Sequence, residues 1–401
     1  MDSSNLIKNL SVESKKILSL ILHNQAFTKA TLSELSCLKL TSLNRMMLPL
    51  EEAGLIVKYE IGESTGGRKP VLYDVNPSRY YIIGIDISRT YTQVVVINLK
   101  MKLFEKYKFD MNKESTPSIV VKLVSSWIDE VIEKLRKQNG IIIGMGIGTV
   151  GPMDRKKGVV LKPDNFGAEG WENVPIKSIF EERYGVPVVI DNGANAAVLA
   201  ETYYGLGKGV KSVIYINCGM GIRTGAISSG VFVRKINDAD DAFAHMIVDV
   251  NGRKCSCGNL GCIEAYSSIY SIIEIFTELS NKTLHYHNDI EQVSYMDICK
   301  AAEVGDSIAM KVIGDSATIM GNGLANLIQL LNPGIVILSG PLLKNSKLFY
   351  QISTGTAYKK INILNKDKIL FNMGGYFKED AISIGAAAMV LENYLDNTCT
   401  Y

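Results

Sequence analysis

Val213-Ile-Tyr-Ile-Asn-Cys218, Gly219-Met-Gly221-Ile-Arg223 and Thr224-Gly-Ala-Ile-Ser228 read in turn as a strand, a glycine-rich turn and a second strand. The same pattern occurs earlier, where Tyr81–Asp86 and Thr92–Asn98 form a hairpin signal rich in β-branched residues. Between the two units lie an amphipathic helical pattern over Ser118–Gln138, apolar strands over Ile141–Gly148 and Val186–Asp191, and a helix from about Ala194 to Tyr204. Two such units predict an internally duplicated α/β fold with two lobes around a cleft.

Residues 1–78 follow another pattern. Val12–His23 carries a broad apolar face of Ile17, Leu18, Leu20, Ile21 and Leu22. Thr28 is a candidate N-cap for a helix to about Ser36, with Leu32 and Leu35 inward. Thr41 or Ser42 opens a third helix, Leu43 to about Ala53, closed by Gly54. Pro49 inside it predicts a kink or an early end, because proline removes a backbone donor and clashes with the carbonyl four residues back. Strands over Leu55–Ile61 and Val71–Val75 flank a turn at Gly62–Gly67. Three helices and a two-stranded ribbon are the layout of a winged helix-turn-helix.

The 401 residues carry 43 basic and 41 acidic side chains, a net charge of +2, too balanced for a protein that coats nucleic acid. With 47% hydrophobic and 21% charged residues the chain is that of an ordinary globular protein. No apolar run approaches the roughly 18 residues of a membrane span, and no secretory signal is seen. Seven cysteines, an odd number with three close together, predict a reducing cytoplasm and a metal site.

That site is His245-x9-Cys255-x-Cys257-x4-Cys262, four ligands of the kind Zn2+ takes in a tetrahedron. A fully protein-ligated ion is structural, so one structural zinc per chain is expected. Gly252, Gly258 and Gly261 allow the tight backbone it requires, and Arg253 and Lys254 would help hold thiolates deprotonated.

The string Ala244-His245, Gly252, Cys255-Ser-Cys257-Gly258-Asn-Leu-Gly261-Cys262-Ile-Glu264 resembles the signature of the ROK family of repressors, open reading frames and sugar kinases. Gly146-Ile-Gly148-Thr-Val-Gly151-Pro152-Met-Asp154, Asp191-Asn192-Gly193-Ala194-Asn195 and Gly340-Pro341 follow in the family's order, so the resemblance covers essentially the whole chain. It implies an actin-like ATPase and sugar-kinase fold. The N-terminal unit, ending in Gly66-Gly67-Arg68-Lys69-Pro70, is similar to the family's transcription-factor branch, which includes repressors responding to xylose, glucose or N-acetylglucosamine phosphate.

The resemblance also locates departures. The family's catalytic base is the Asp of an Asn-Asp-Ala-Asn string, which here reads Asn192-Gly193-Ala194-Asn195. Gly193 cannot accept a proton, so general-base help worth about 10²–10⁴-fold is absent. The first phosphate loop, Asp86-Ile87-Ser88-Arg89-Thr90, lacks its glycine; Asp86 is read as a structural turn residue. Of the family's sugar-holding positions, Asn165, Asn192, His245 and Glu264 match, whereas a Glu is replaced by Ala242 and a Gly by Ala244. Either the ligand is not an ordinary hexose or the pocket is vestigial.

In a helix-turn-helix the N-terminal residues of the second helix meet base edges. Those are Thr41, Ser42, Asn44 and Arg45, with Arg45 suited to guanine and Asn44 to adenine. Lys29 and Lys39 are placed for phosphates, and Arg68 and Lys69 for a minor groove at the ribbon tip. The expectation is a sugar-responsive, zinc-containing regulator of carbohydrate-use genes that binds double-stranded operator DNA as a homodimer or dimer of dimers, without kinase activity. The alternatives are an active ATP-dependent sugar kinase and a regulator controlled by a partner protein. Expected domains are 1–78 (winged helix), 79–200 (first lobe) and 201–401 (second lobe, zinc site), with a helix at about 380–395 packing back on the first lobe.

Overall fold

A computed structural model describes residues 7–24, 26–60, 71–163, 166–233, 242–284, 293–362 and 366–395. The chain divides into two compact units: residues up to Ala196 joined by those from Ile382 onward, and Ala197–Ala381. Among the described residues no helix is long and apolar enough to cross a membrane.

The first unit begins with α1 (Val12–His23), β1 (Phe27–Thr28), α2 (Lys29–Ser36), α3 (Leu40–Glu52), β2 (Ile56–Glu60) and β3 (Val71–Val75). The strands form an antiparallel sheet in the order β1-β3-β2. Ser11 and Thr28 cap α1 and α2 with their hydroxyls. Ile17, Leu18, Ile21, Leu32, Leu43, Met47 and Leu50 close a core between the helices.

Three local expectations are corrected. Leu35 does not point inward; it is 54% exposed. The third helix starts at Leu40, because the Lys39 carbonyl already accepts from Leu43 N (2.9 Å), and Lys39 contributes no side-chain cap. Pro49 neither ends the helix nor stops it early. Proline removes one backbone bond, the one to the Arg45 carbonyl, yet the helix runs on past it through Glu52. The helix closes in a Schellman turn: Leu55 N donates to Leu50 O, Gly54 N to Glu51 O, and Gly54 has φ +69°.

The joint to the next element is bridged rather than loose. Tyr80 Oη donates to Ala53 O (2.6 Å), Asn76 Nδ2 to Gly54 O (3.0 Å) and Asn98 Nδ2 to Pro77 O (2.9 Å), while Lys100 pairs with Asp74. His23 Nε2 on α1 lies 2.7 Å from Glu392 Oε1 on the C-terminal helix Ala381–Leu395.

The rest of the first unit is built on β4 (Tyr80–Ile87), β5 (Tyr91–Asn98), β6 (Leu103–Asp110), α4 (Pro117–Lys137), β7 (Ile141–Thr149), the short pair β8 (Met153–Asp154) and β9 (Val159–Val160), α5 (Ile176–Tyr184), β10 (Val188–Asn192) and the start of α6 (Gly193–Tyr204). The sheet order is β10-β7-β4-β5-β6, with β10, β7 and β4 parallel and β4-β5-β6 an antiparallel meander. Val120, Val124, Ile128, Val131 and Leu135 of α4, spaced three and four apart, bury one helical face in the core they share with Ile83, Ile85, Met145 and Ile147. The C-terminal helix meets a glycine row in β4 and β7. A Cβ at Gly84 would stand 1.9 Å from Ser383 O, and one at Gly146 1.7 Å from Ala386 O.

The second unit repeats the plan. It holds β11 (Ser212–Cys218), β12 (Ile222–Ser228), β13 (Val231–Phe232), α7 (Glu264–Ser267), α8 (Ile269–Leu284), α9 (Tyr295–Glu303), α10 (Ser307–Leu331), β14 (Ile335–Ser339), α11 (Pro341–Asn345), α12 (Lys347–Lys360) and β15 (Leu370–Met373). The order β13-β12-β11-β14-β15, a meander followed by two parallel strands, mirrors the first sheet. Val312, Ile313, Ala317, Met320, Leu324 and Ile328 of α10 pack against Ile214, Ile216, Val336 and Leu338.

Candidate nucleic-acid interface, metal centre and ligand site

On α3 the buried row is Leu43, Met47 and Leu50, so helical geometry turns positions 41, 44 and 45 outward. Thr41, Asn44, Arg45 and Lys39 are exposed and Ser42 is half-buried. Lys29 sits 5.1 Å over the Tyr73 ring and its ammonium contacts Asn44 Oδ1, so it is anchored inside the unit. Arg68 and Lys69 lie outside the described residues.

The four candidate metal ligands converge. One donor atom each from His245, Cys255, Cys257 and Cys262 lies within 4.8 Å of the others. Cys255 Sγ is 3.7 Å from His245 Nδ1, and Cys257 Sγ is 3.7 Å from Cys262 Sγ. A zinc tetrahedron with Zn–S bonds of about 2.3 Å has sulfur–sulfur edges of about 3.8 Å, so this donor set fits the ion. The backbone enforces the geometry: Cys255 N donates to Asn259 O (2.8 Å), Gly261 N to Arg253 O (2.8 Å) and Val248 N to Gly261 O (2.9 Å). Gly258 and Gly261 have φ +94° and +73°, and a Cβ at Gly261 would stand 1.5 Å from Asp249 O. Burial pushes the Cys262 thiol up to about 12; a bound dication, which takes the thiolate, reverses that preference. Arg253 does not serve the thiolates as expected. It pairs with Glu274 and Glu278, each at 2.8 Å, and so pins the loop to α8.

The loop leads directly into the expected sugar-holding residues of the second unit. Glu264, the first residue of α7, accepts from Ile222 N through Oε2 at 2.8 Å, and its own N–H donates to Ala244 O at 2.9 Å. The glycine turn it supports closes through Gly219 N to Gly221 O (3.0 Å). Arg223, beside that turn, is 5% exposed, and its Nη1 is buried without a hydrogen-bond partner among the described residues. In the sequence Arg223 is only the end of a glycine-rich turn; burial of its guanidinium depends on tertiary packing.

In the first unit Asp191 and Asn192 end β10 and are fully buried. Asp191 Oδ1 accepts from Arg155 Nε at 2.9 Å and Asn195 Nδ2 at 3.1 Å. Asn192 Oδ1 accepts from Ala194 N at 2.9 Å, so its carboxamide shapes the entry to α6. Asp86, also fully buried, accepts from the Tyr91 hydroxyl at 2.7 Å beside the tight β4–β5 turn. Arg155 was not singled out from sequence, since nothing local marks a partner 36 residues away. Asn165 lies outside the described residues.

Comparison with known proteins adds three likenesses. The chain is 28% identical over 394 residues to the xylose repressor of Caldicellulosiruptor bescii, covering 94% of this chain and 95% of that one. It is 27% identical over 326 residues to the glucokinase of Thermotoga maritima, with 78% of this chain and 97% of the enzyme covered. Among solved structures, a ROK family transcriptional regulator, a homologue of the Escherichia coli Mlc protein, superposes with a TM-score of 0.77 over 96% of both chains at 21% identity. The sequence pattern of the ROK family matches residues 82–393, and with the paired meander sheets it establishes that this chain belongs to the ROK family.

Proposed function

We propose that this protein is a DNA-binding transcriptional regulator that represses carbohydrate-use genes, responds to a small sugar and transfers no phosphate. The observation that carries the reading is the N-terminal unit. Residues before 82 lie outside the family match, and there the chain exposes Thr41, Asn44 and Arg45 on one helix with Lys39 at its start. That is the layout of a major-groove reader. Residues 1–78 are taken as the DNA module, 79–200 as the first lobe and 201–401 as the second, except that the helix at about 380–395 packs back on the first lobe. Gly193 stands where the family has its base, and nearby Asp191 is buried against Arg155, which supports a chain without general-base catalysis.

His245, Cys255, Cys257 and Cys262 would hold one structural Zn2+ per chain, bracing the loop that presents Glu264. Asn165, Asn192, His245 and Glu264 are the proposed sugar contacts, and the relative named for xylose favours a pentose. One module reads too few base pairs for specificity, so a homodimer on paired half-sites is expected, in a cytoplasm that keeps the thiols reduced.

The test uses the full chain. DNA from upstream of sugar-use genes should be retained in a gel-shift assay and released by a sugar from a pentose-containing panel. Arg45→Ala should cost about 1–3 kcal/mol of binding and relax preference at one base pair. Failure to retain any such DNA, or ATP-dependent phosphorylation of a sugar at a kinase's turnover, overturns the reading.

A further inference from the structure

The outward face of α3 carries two leucines that the three-helix core does not use. Leu40 is 52% and Leu48 53% exposed, although Leu43, Met47 and Leu50 on the same helix are fully buried. Residues 40, 44 and 48 follow each other at single-turn spacing, so the exposed Asn44 lies between the leucines, with Thr41 and Arg45 on the adjoining row. A lone exposed leucine needs no explanation. Two of them flanking a carboxamide, on a helix that also presents Arg45 and Lys39, form a mixed apolar and cationic strip suited to a polyanion with apolar points.

The orientation of Asn44 sharpens this. An ammonium group only donates, so the Lys29 contact takes the carboxamide oxygen and leaves the amide NH2 free of that contact. Lys29 is itself held over the Tyr73 ring. Reading adenine through N6 and N7 needs both an acceptor and a donor from Asn. The Lys29 contact takes one of the two lone-pair sites of that oxygen and turns it toward Lys29, so the group Asn44 offers is its donor, which suits guanine or thymine O4. In the major groove thymine alone pairs an acceptor with a methyl group.

We propose that α3 reads thymine, with Leu40 and Leu48 packing on thymine methyl groups, Asn44 donating to O4, and Lys29 acting as the positioning residue that sets the carboxamide. This rests on the DNA-binding reading above and replaces the expectation that Asn44 selects adenine.

The full chain is first used to select its preferred duplex from a random library. Each thymine of that duplex is then replaced singly by deoxyuridine, which removes only the methyl group. The unmodified protein should lose about fourfold in affinity per contacted methyl, the factor for one buried methylene-sized group. In Leu40→Ala or Leu48→Ala, both surface changes, thymine and deoxyuridine should bind equally at one position while other positions keep their response. Lys29→Met should shift preference toward adenine at the base pair under Asn44. A chain that selects a sequence yet is indifferent to every thymine methyl overturns the inference and leaves the regulator reading standing. A chain that selects no sequence overturns both.

Discussion

Gly146→Ala adds one methyl group where the C-terminal helix lies directly on the first sheet. The new Cβ would stand 1.7 Å from the Ala386 carbonyl oxygen and 2.3 Å from its carbon, both backbone atoms that cannot rotate away. An ordinary contact needs about 3.4 Å, so the helix must withdraw by roughly 1.7 Å. Withdrawal opens gaps beside Ala386, Ala387, Ala388 and Met389, all fully buried, and stretches the Tyr394 hydroxyl bond to Ile143 O (2.8 Å). Overpacking of this kind costs typically 1–3 kcal/mol, and a backbone obstacle belongs at the top of that range, about 3 kcal/mol. Both tryptophans, Trp127 and Trp171, lie in the first unit, so their emission follows its unfolding alone. With a urea slope of about 2 kcal/mol per molar, the tryptophan midpoint should fall by about 1.5 M. Gly355→Ala in α12 is the control. Nothing lies within 4 Å of its Cβ position, and alanine in a helix interior is favoured by about 0.5–1 kcal/mol, with no movement of the tryptophan transition. A Gly146→Ala midpoint within about 0.3 M of the parent protein would refute the direct seating of helix on strand.

Elemental analysis of the purified chain should give about one zinc per chain, and Cys257→Ser should lose the metal and lower the melting temperature; a metal-free protein with unchanged melting would be inconsistent. Arg155→Ala removes the guanidinium paired with buried Asp191 and should cost about 3 kcal/mol, whereas Arg155→Met with Asp191→Asn should recover much of it in the same urea assay. Burial pushes the Cys218 thiol up to about 12 and Cys299 to about 11, so neither supplies thiolate at neutral pH. Peptide mapping after brief maleimide labelling should find exposed Cys37 modified and Cys218 and Cys299 protected until denaturant is added; prompt labelling of either would contradict their burial.

What the sequence makes legible is local chemistry. The candidate metal ligands fall within a short stretch whose glycines announce its turns, so spacing alone assembles them. Helix α1 is readable because its apolar residues recur at helical spacing. The start of α3 is less so: Thr41 looks like a cap, yet the backbone carbonyl of Lys39 opens the helix. Pro49 misleads because only one backbone bond is lost there, while the buried row of Leu43, Met47 and Leu50 carries the helix past it to Glu52. Leu35 matches the apolar pattern without being buried. The Arg155–Asp191 pair and the buried guanidinium of Arg223 arise from packing between distant segments, for which no pattern along the chain gives notice.

The return of the C-terminal helix to the first sheet also orders the birth of the protein. Gly84 and Gly146 offer their bare backbone early in synthesis, yet the helix that covers them is made only after all of Ala197–Ala381. The second unit is continuous in sequence and can close as it emerges, while the first must wait with a naked sheet face for its last element. Such long-range closure is slow and leaves apolar surface open meanwhile. A chain interrupted before Ala381 would carry the folded helices α1–α3 on an unfinished support, lacking Glu392 to hold His23, so aggregation and proteolysis should remove truncated chains before they act.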